Sequence, residues 1–388
     1  MRRFIVPAAL LILIAGLGGG VWAVTRQPAA AQVRASISAV EAVGGVDADA
    51  KFARATTVRP FVFPADHGPH EGFRTEWWYY TGNLATSDGR RFGYQLTFFR
   101  SALSDQPVAR QSEWAATNMY MAHFALTDVQ NNRFYAFDRF SRDAAGLAGA
   151  SGEPYRVFLE DWSASGAGAA ALPMRLQARV GDVAIDLSLE SAKPPTLQGD
   201  RGLSPKGAAV GNASYYYSLT RMPTSGSVSA GGETVQVTGS SWMDREWSTS
   251  SLEEGIAGWD WFALQLDDGR DITVYLLRLE DGTLGAYSDG TITAADGTSR
   301  QLDLGDFQIE VLERWTTPRA DATAYPAKWR VTIPSEGIDL TVTPQVADQE
   351  LLLAVRYWEG SVRIEGSQTG YGYVELTGYG DGAAARTQ

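Results

Sequence analysis

"WWYYTGNLATSDGRRFGYQLTFFR" occupies residues 77–100, and "WDWFALQLDDGRDITVYLLR" occupies residues 259–278. Each stretch opens on two tryptophans, alternates between apolar and polar positions, turns at an Asp-Gly pair and ends on arginine. Period-two alternation on both sides of an Asp-Gly turn is the pattern of an antiparallel hairpin. The chain therefore writes one hairpin twice. Further matches keep the same order: "VFLEDW" from 157 with "EVLERW" from 310, "IDLSL" from 185 with "IDLTV" from 338, and Pro173 with Pro326, all at one offset. "GSVSAGGETVQVTG" (226–239) and "GSVRIEGSQTGYGYVELTG" (360–378) pair in the same way. Helical periodicity is scarce past residue 60, while short alternating runs and Asp-Gly turns recur. The reading is an all-β protein made of two consecutive antiparallel β-barrels, 60–247 and 248–380, with about eight strands each, enough to enclose an interior.

The remaining segments are flanks. "MRRFIVPAALLILIAGLGGGVWAV" (1–24) has a basic start and an apolar run at 4–24. Residues 1–32 are expected to be an export signal or a membrane anchor, which places the rest in the periplasm or outside the cell. Residues 33–59 read as a linker and 381–388 as a tail.

Composition narrows the function. The chain has 388 residues, net charge −12 and no cysteine. Acidity argues against nucleic acid as a partner, and the lack of cysteine excludes disulfides and thiol chemistry. Twelve Trp and 16 Tyr suit a pocket for a flat or long apolar molecule. No nucleotide loop, zinc-protease pattern or nucleophile elbow occurs, so no cofactor or metal is expected. Gly68-Pro69 between His67 and His70 removes the helical spacing common in metal sites.

"GSSWMDREWSTS" (239–250) puts Asp244, Arg245 and Glu246 between Trp242 and Trp247. It falls where one half ends and the other begins, and ligand sites favour such interfaces. In a strand, Asp244 and Glu246 share one face, and Arg245 joins Met243 and Trp247 on the other. Two acids on a face dried by indoles drive one carboxyl pKa upward, which makes a proton donor. The competing reading is structural: an acid pair neutralised by Arg100, Arg278 or another arginine, holding two domains in register.

Other candidates line a pocket or fill a core. Glu76 stands beside Trp77 and Trp78, with Tyr80 beyond; neither face of that strand is plainly polar, so both are expected to be covered. Trp259 and Trp261 repeat the pattern, and recurrence in both halves favours a core device. His123 lies on an apolar strand, as a satisfied core histidine or a proton-exchanging group.

"FPADHGPHEGFRTEWWYYTGNL", "MAHFALTD", "YYYSLTRMPTSG", "GSSWMDREWS", "GWDWFALQL", "YWEGSV" and "GYGYVELTGY" resemble the AttH family, also labelled predicted secreted hydrolases and related to the carotenoid 1,2-hydratases. The resemblance spans essentially all of 60–380. It implies two lipocalin-like barrels and, in the hydratase branch, cofactor-free addition of water to a carotenoid double bond; some fungal relatives hydrate or cyclise other apolar compounds. Trp247 matches the branch's tryptophan, and Tyr275 corresponds to a pocket tyrosine. Arg245 stands where the branch has histidine, and arginine is a poor proton donor. Asp244 or Glu246 is then the expected donor, Arg245 an anchor for the acid pair or a ligand head, and Trp242, Trp247, Trp259 and Trp261 the cation-stabilising wall. A carrier without chemistry and a secreted hydrolase are the alternatives.

Overall fold

The computed structural model describes residues 51–105, 112, 114–168, 170–250, 253 and 255–380, together with the strand Ile37–Ser38. The expected export segment 1–32, most of the linker and the tail lie outside the described residues. Within them the protein is all-β, with two short 3₁₀ turns at Ala65–His67 and Pro334–Glu336. No helix among the described residues is long and apolar enough to cross a membrane.

The strands form two curled sheets. The first runs Arg133–Arg142, Asn118–Asp128, Arg91–Ala102, Thr75–Ala85, Glu233–Ser248, Ala213–Ala230, Val183–Leu189, Met174–Val180, Trp162–Gly166, Tyr155–Leu159 and Ala148–Gly152. The second runs Ser299–Leu302, Asp289–Thr293, Asp271–Leu279, Ile256–Leu266, Gly370–Leu376, Val355–Gly366, Ile338–Pro344, Ala324–Ile333 and Gln308–Thr316. Strand for strand the two orders agree, with two extra strands at the end of the first. Those extras let the first sheet nearly close into a barrel, while the second remains a half-barrel. The duplication is thus physical. One match is displaced: "EVLERW" lies within Gln308–Thr316, whereas "VFLEDW" straddles the turn between Tyr155–Leu159 and Trp162–Gly166.

Each sheet fills its own concave side. Trp78, Tyr80, Leu96, Phe98, Phe124, Met243 and Trp247 belong to the first core. Phe262, Leu264, Val274, Trp329, Trp358, Val374 and Leu376 belong to the second. Residues 51–59, read as the end of a linker, lie against the first barrel: Ala55 joins its core and the Tyr215 hydroxyl donates to the Thr57 carbonyl at 2.8 Å.

Strand alternation sends the other half of these side chains outward, and there the two sheets meet. A Cβ on Gly93 would stand 2.5 Å from the Ser361 Cβ, so only glycine allows this approach. Polar contacts fix the register. Asn83 Nδ2 donates to the Gly372 carbonyl at 3.0 Å, and Ser361 Oγ donates to Asn83 Oδ1 at 2.6 Å. Gln265 Nε2 donates to the Thr220 and Ser241 carbonyls at 2.7 and 3.0 Å. Buried Asp271 takes Lys193 Nζ at 2.6 Å and Arg221 Nη2 at 2.6 Å. These groups hold the two sheets in register without Arg100 or Arg278, the arginines expected in that role.

Candidate functional site

Between the sheets lies a cavity of about 380 Å³, within the range of small-molecule sites. Its walls follow from strand register. On the first sheet Ser218, Asp244, Tyr79, Thr97 and His123 stand opposite one another on five successive strands. The neighbouring row is Tyr216, Glu246, Trp77, Phe99, Met121 and Phe140. On the second sheet Tyr275, Trp261, Glu375 and Glu359 form one row. Aromatic rings dominate both walls, with carboxyls set at intervals among them.

The stretch 242–247 divides between the two sides of its strand. Arg245 turns into the first barrel, fully buried, with its guanidinium 3.9 Å over the Trp78 ring. It pairs with Glu76, which also pairs with Arg100. Arg245 Nη2 further donates to the Gly68 carbonyl at 2.6 Å, and His70 stacks on Trp247 at 3.6 Å. Burial pushes the Glu76 carboxyl up, but Arg245, His70 and Arg100 outweigh it and hold it well below the usual carboxylate range. Burial and the Arg245 charge lower the His67 pKa to about 4, so this imidazole is neutral. Arg245 does not line the cavity and touches neither Asp244 nor the Glu246 carboxylate, which corrects its expected role as anchor of the acid pair or of a ligand head.

Asp244 turns the other way, to the cavity wall. Its carboxyl accepts from Ser218 Oγ at 2.5 Å, Tyr216 Oη at 2.7 Å and Trp242 Nε1 at 2.7 Å. No cation pairs with it among the described residues. Burial raises its pKa to about 7, against the pull of the three donors and with a push from Glu246. The two arginines proposed as neutralisers are engaged elsewhere: Arg100 with Glu76 and Arg278 with Asp260 at 2.8 Å. Glu246 instead meets Lys206, whose Nζ lies 3.4 Å from Oε1 and 4.3 Å from the Tyr275 ring centre.

Glu375 faces the same space and accepts from Trp259 Nε1 at 2.8 Å. Burial raises it to about 7, and the Asp244 charge adds to the rise. Glu359, behind it in the row, is driven well above the ordinary value by burial and by Glu375; the Tyr79 hydroxyl donates to it. Trp261 Nε1 donates to Tyr216 Oη at 3.2 Å, which links the second sheet to Asp244 through that hydroxyl. His123 Nδ1 bonds Tyr357 Oη at 2.7 Å, and burial lowers its pKa to about 4.

Of the candidates read from sequence, Asp244, Glu246, Trp77, His123, Trp259, Trp261 and Tyr275 line the cavity, and Glu76 borders it. Trp242 lies just behind, donating to Asp244. Trp78, Tyr80 and Trp247 are core residues of the first barrel. Of the recurring tryptophans, Trp78 fills a barrel core, while Trp77, Trp259 and Trp261 sit at the seam, because the outward faces of the duplicated hairpins pack on each other. Sequence reading passed over Tyr79, Gln95, Lys206, Tyr216, Tyr357, Glu359 and Glu375. Glu359 and Glu375 had a signal: each shares a strand face with a tyrosine two residues earlier, Tyr357 and Tyr373. Lys206 lies outside regular structure and had none.

The AttH-like family profile matches residues 54–379, nearly the whole described chain. The chain belongs to the AttH-like family. Among solved structures, a protein of Nitrosomonas europaea assigned to AttH is 32% identical, with a TM-score of 0.75 over 84% of this chain and 100% of its own. Kievitone hydratase from Nectria haematococca shares 16% identity with a TM-score of 0.63, covering 84% of this chain and 96% of its own, a likeness of fold. No curated protein sequence matches the chain. The AttH-like match is the family that the sequence blocks resembled, and its span takes in both sheets and the cavity between them.

Proposed function

We propose that the seam cavity binds an apolar, isoprenoid- or lipid-like molecule and performs cofactor-free acid catalysis on its double bond. Hydration, isomerisation and cyclisation all begin with the same step. Asp244 gives its proton to an alkene carbon, and the neighbouring carbon becomes cationic. Trp77, Trp259 and Trp261 face that space with their rings, which suits stabilisation of a cation. In hydration, water forms the new C–O bond and passes a proton to Glu375; in isomerisation or cyclisation Glu375 takes the proton from carbon. Two carboxyls that titrate near neutrality in one compartment allow one to be protonated while the other is ionised.

The observation that carries this reading is Asp244: a fully buried carboxyl on an aromatic cavity, without a cation, raised to about 7. The shared fold with a hydratase supports it as well. Hydrolysis finds less support, since among the described residues no cavity serine bonds to His123, whose Nδ1 is occupied by Tyr357. The proposal places the activity in the periplasm or outside the cell, on the strength of the basic and apolar pattern at 2–24.

Extraction of the purified protein with organic solvent, followed by mass spectrometry, tests the reading. The expected result is a compound 18 Da heavier, or an isomer, in wild type relative to Asp244→Asn, with turnover lost in the variant by on the order of 10²–10⁴-fold. The same unmodified compound in both samples overturns catalysis and leaves a carrier.

A further inference from the structure

The end of the cavity away from Asp244 is polar, and its polar atoms are incompletely matched. Gln95 Nε2 donates to Thr97 Oγ1 at 2.9 Å and to Tyr357 Oη at 3.0 Å, and Tyr357 Oη also bonds His123 Nδ1 at 2.7 Å. Gln95 and His123 are each 1% exposed, and both line the cavity. Gln95 Oε1 and His123 Nε2 nevertheless have no partner among the described residues. Both side chains are fastened through the same phenol, so their free atoms belong to one small region. A buried polar atom without a partner costs free energy, and a hydrocarbon in this space would leave both atoms unmatched.

We infer that Gln95, His123 and Tyr357 form a subsite for a hydroxyl group, so that the substrate is an apolar molecule carrying an alcohol or phenol remote from the double bond that reacts. A hydroxyl is both donor and acceptor. Its proton goes to Gln95 Oε1, which can only accept, and its oxygen takes the His123 Nε2 proton when Tyr357 donates to Nδ1. A ketone or ether cannot supply the donor that Gln95 Oε1 needs. Because burial keeps His123 uncharged, the subsite selects a neutral head over a carboxylate. His123 and Asp244 stand in one row three strands apart, so their backbones are separated by about 14 Å at the usual strand spacing. The hydroxyl therefore sits at one end of the molecule and the reacting bond toward the other. This inference rests on the proposed use of the cavity, and its test separates the two.

The probes are farnesol and farnesene, which share a carbon skeleton; farnesene lacks the hydroxyl and carries one further double bond in its place. Binding is read by quenching of tryptophan fluorescence in the full chain. Farnesol is expected to bind on the order of tenfold more tightly than farnesene, the worth of one to two buried hydrogen bonds. In Gln95→Leu that advantage should collapse to within about threefold, while farnesene binding is retained or improved. His123→Phe, read in the same way, provides an independent second variant. Equal affinity of the two probes for wild type overturns the hydroxyl subsite and leaves the apolar cavity standing. An advantage that persists in both variants also overturns it. If neither probe binds, the subsite and the proposed use of the cavity fall together.

Discussion

Arg245 and Asp244 are adjacent in sequence and fully surrounded by protein, yet they occupy opposite kinds of environment. Arg245 belongs to the interior of the first barrel, where each charge has a countercharge: Glu76 is held between Arg245 and Arg100. Asp244 belongs to the seam, where Asp244, Glu375 and Glu359 share a space with no cation among their described partners. Burial is the largest influence on all four carboxyls, and it acts in the same direction on each. Neighbouring charge decides the outcome. Paired acid falls well below the ordinary range and serves structure; unpaired acid rises toward neutrality and becomes available for proton transfer. The lesson is that burial of a charge says little about its role until its partners are counted.

The sharpest way to break this comparison is to unpair the interior. Arg245→Met removes one of the two guanidinium groups on Glu76 and should cost about 3–5 kcal/mol in chemical denaturation. A loss below about 1 kcal/mol would show that the interior pair is not structural.

A second test uses pH, because the two regions must respond with opposite sign. Asp244 has a folded pKa raised from 3.8 to about 7. Its protonated form is the one the fold favours, so its contribution is fully present below about 4 and is lost as pH rises through about 7. Asp244→Asn should therefore become more stable than wild type as pH rises across that interval, by up to about 4 kcal/mol above it. Glu76 has a lowered folded pKa, so its contribution is present above the unfolded value of 4.5 and is lost only in strong acid. Melting curves of wild type, Asp244→Asn and Glu76→Gln between about pH 2 and about 9 distinguish these slopes, the Asp244 difference opening between about 4 and 7 and the Glu76 difference only at the acid end. Parallel curves for wild type and Asp244→Asn would contradict the seam's description.

Smaller effects test the seam's geometry. Gly93→Val places carbon against Ser361 and should cost about 1–3 kcal/mol in chemical denaturation. Arg175→Ala removes an exposed pair with Asp186, 2.7 Å apart, and should change stability by less than about 1 kcal/mol. That variant is the reference for a charge pair outside both regions.

Much of this was legible in the sequence. The duplicated hairpins and Asp-Gly turns specify strands and their pairing locally, because side-chain period and turn chemistry are properties of a few residues. Alternation also placed Asp244 and Glu246 together and Arg245 opposite. Partners were not legible. Glu76 and Arg245 are 169 residues apart, and Lys206 reaches Glu246 from a segment without periodicity. The tryptophans at 77, 259 and 261 fit a core device and a pocket wall equally by composition, because an apolar strand face covered by a second sheet has the same composition as one covered by a barrel's own interior. Glu359 and Glu375 each share a strand face with a tyrosine, but that this face meets the first sheet is a long-range event that no local pattern encodes.

The most direct test of the central claim is an infrared titration of the protonated carboxyl band, comparing wild type with Asp244→Asn. The account predicts one component of the buried carboxyl band in wild type that loses its proton near pH 7 and is missing from the variant, while the components from Glu375 and Glu359 remain. A difference spectrum in which Asp244 titrates near its ordinary value of 3.8 would contradict it, and would return the three charges between Trp242 and Trp247 to a purely structural role.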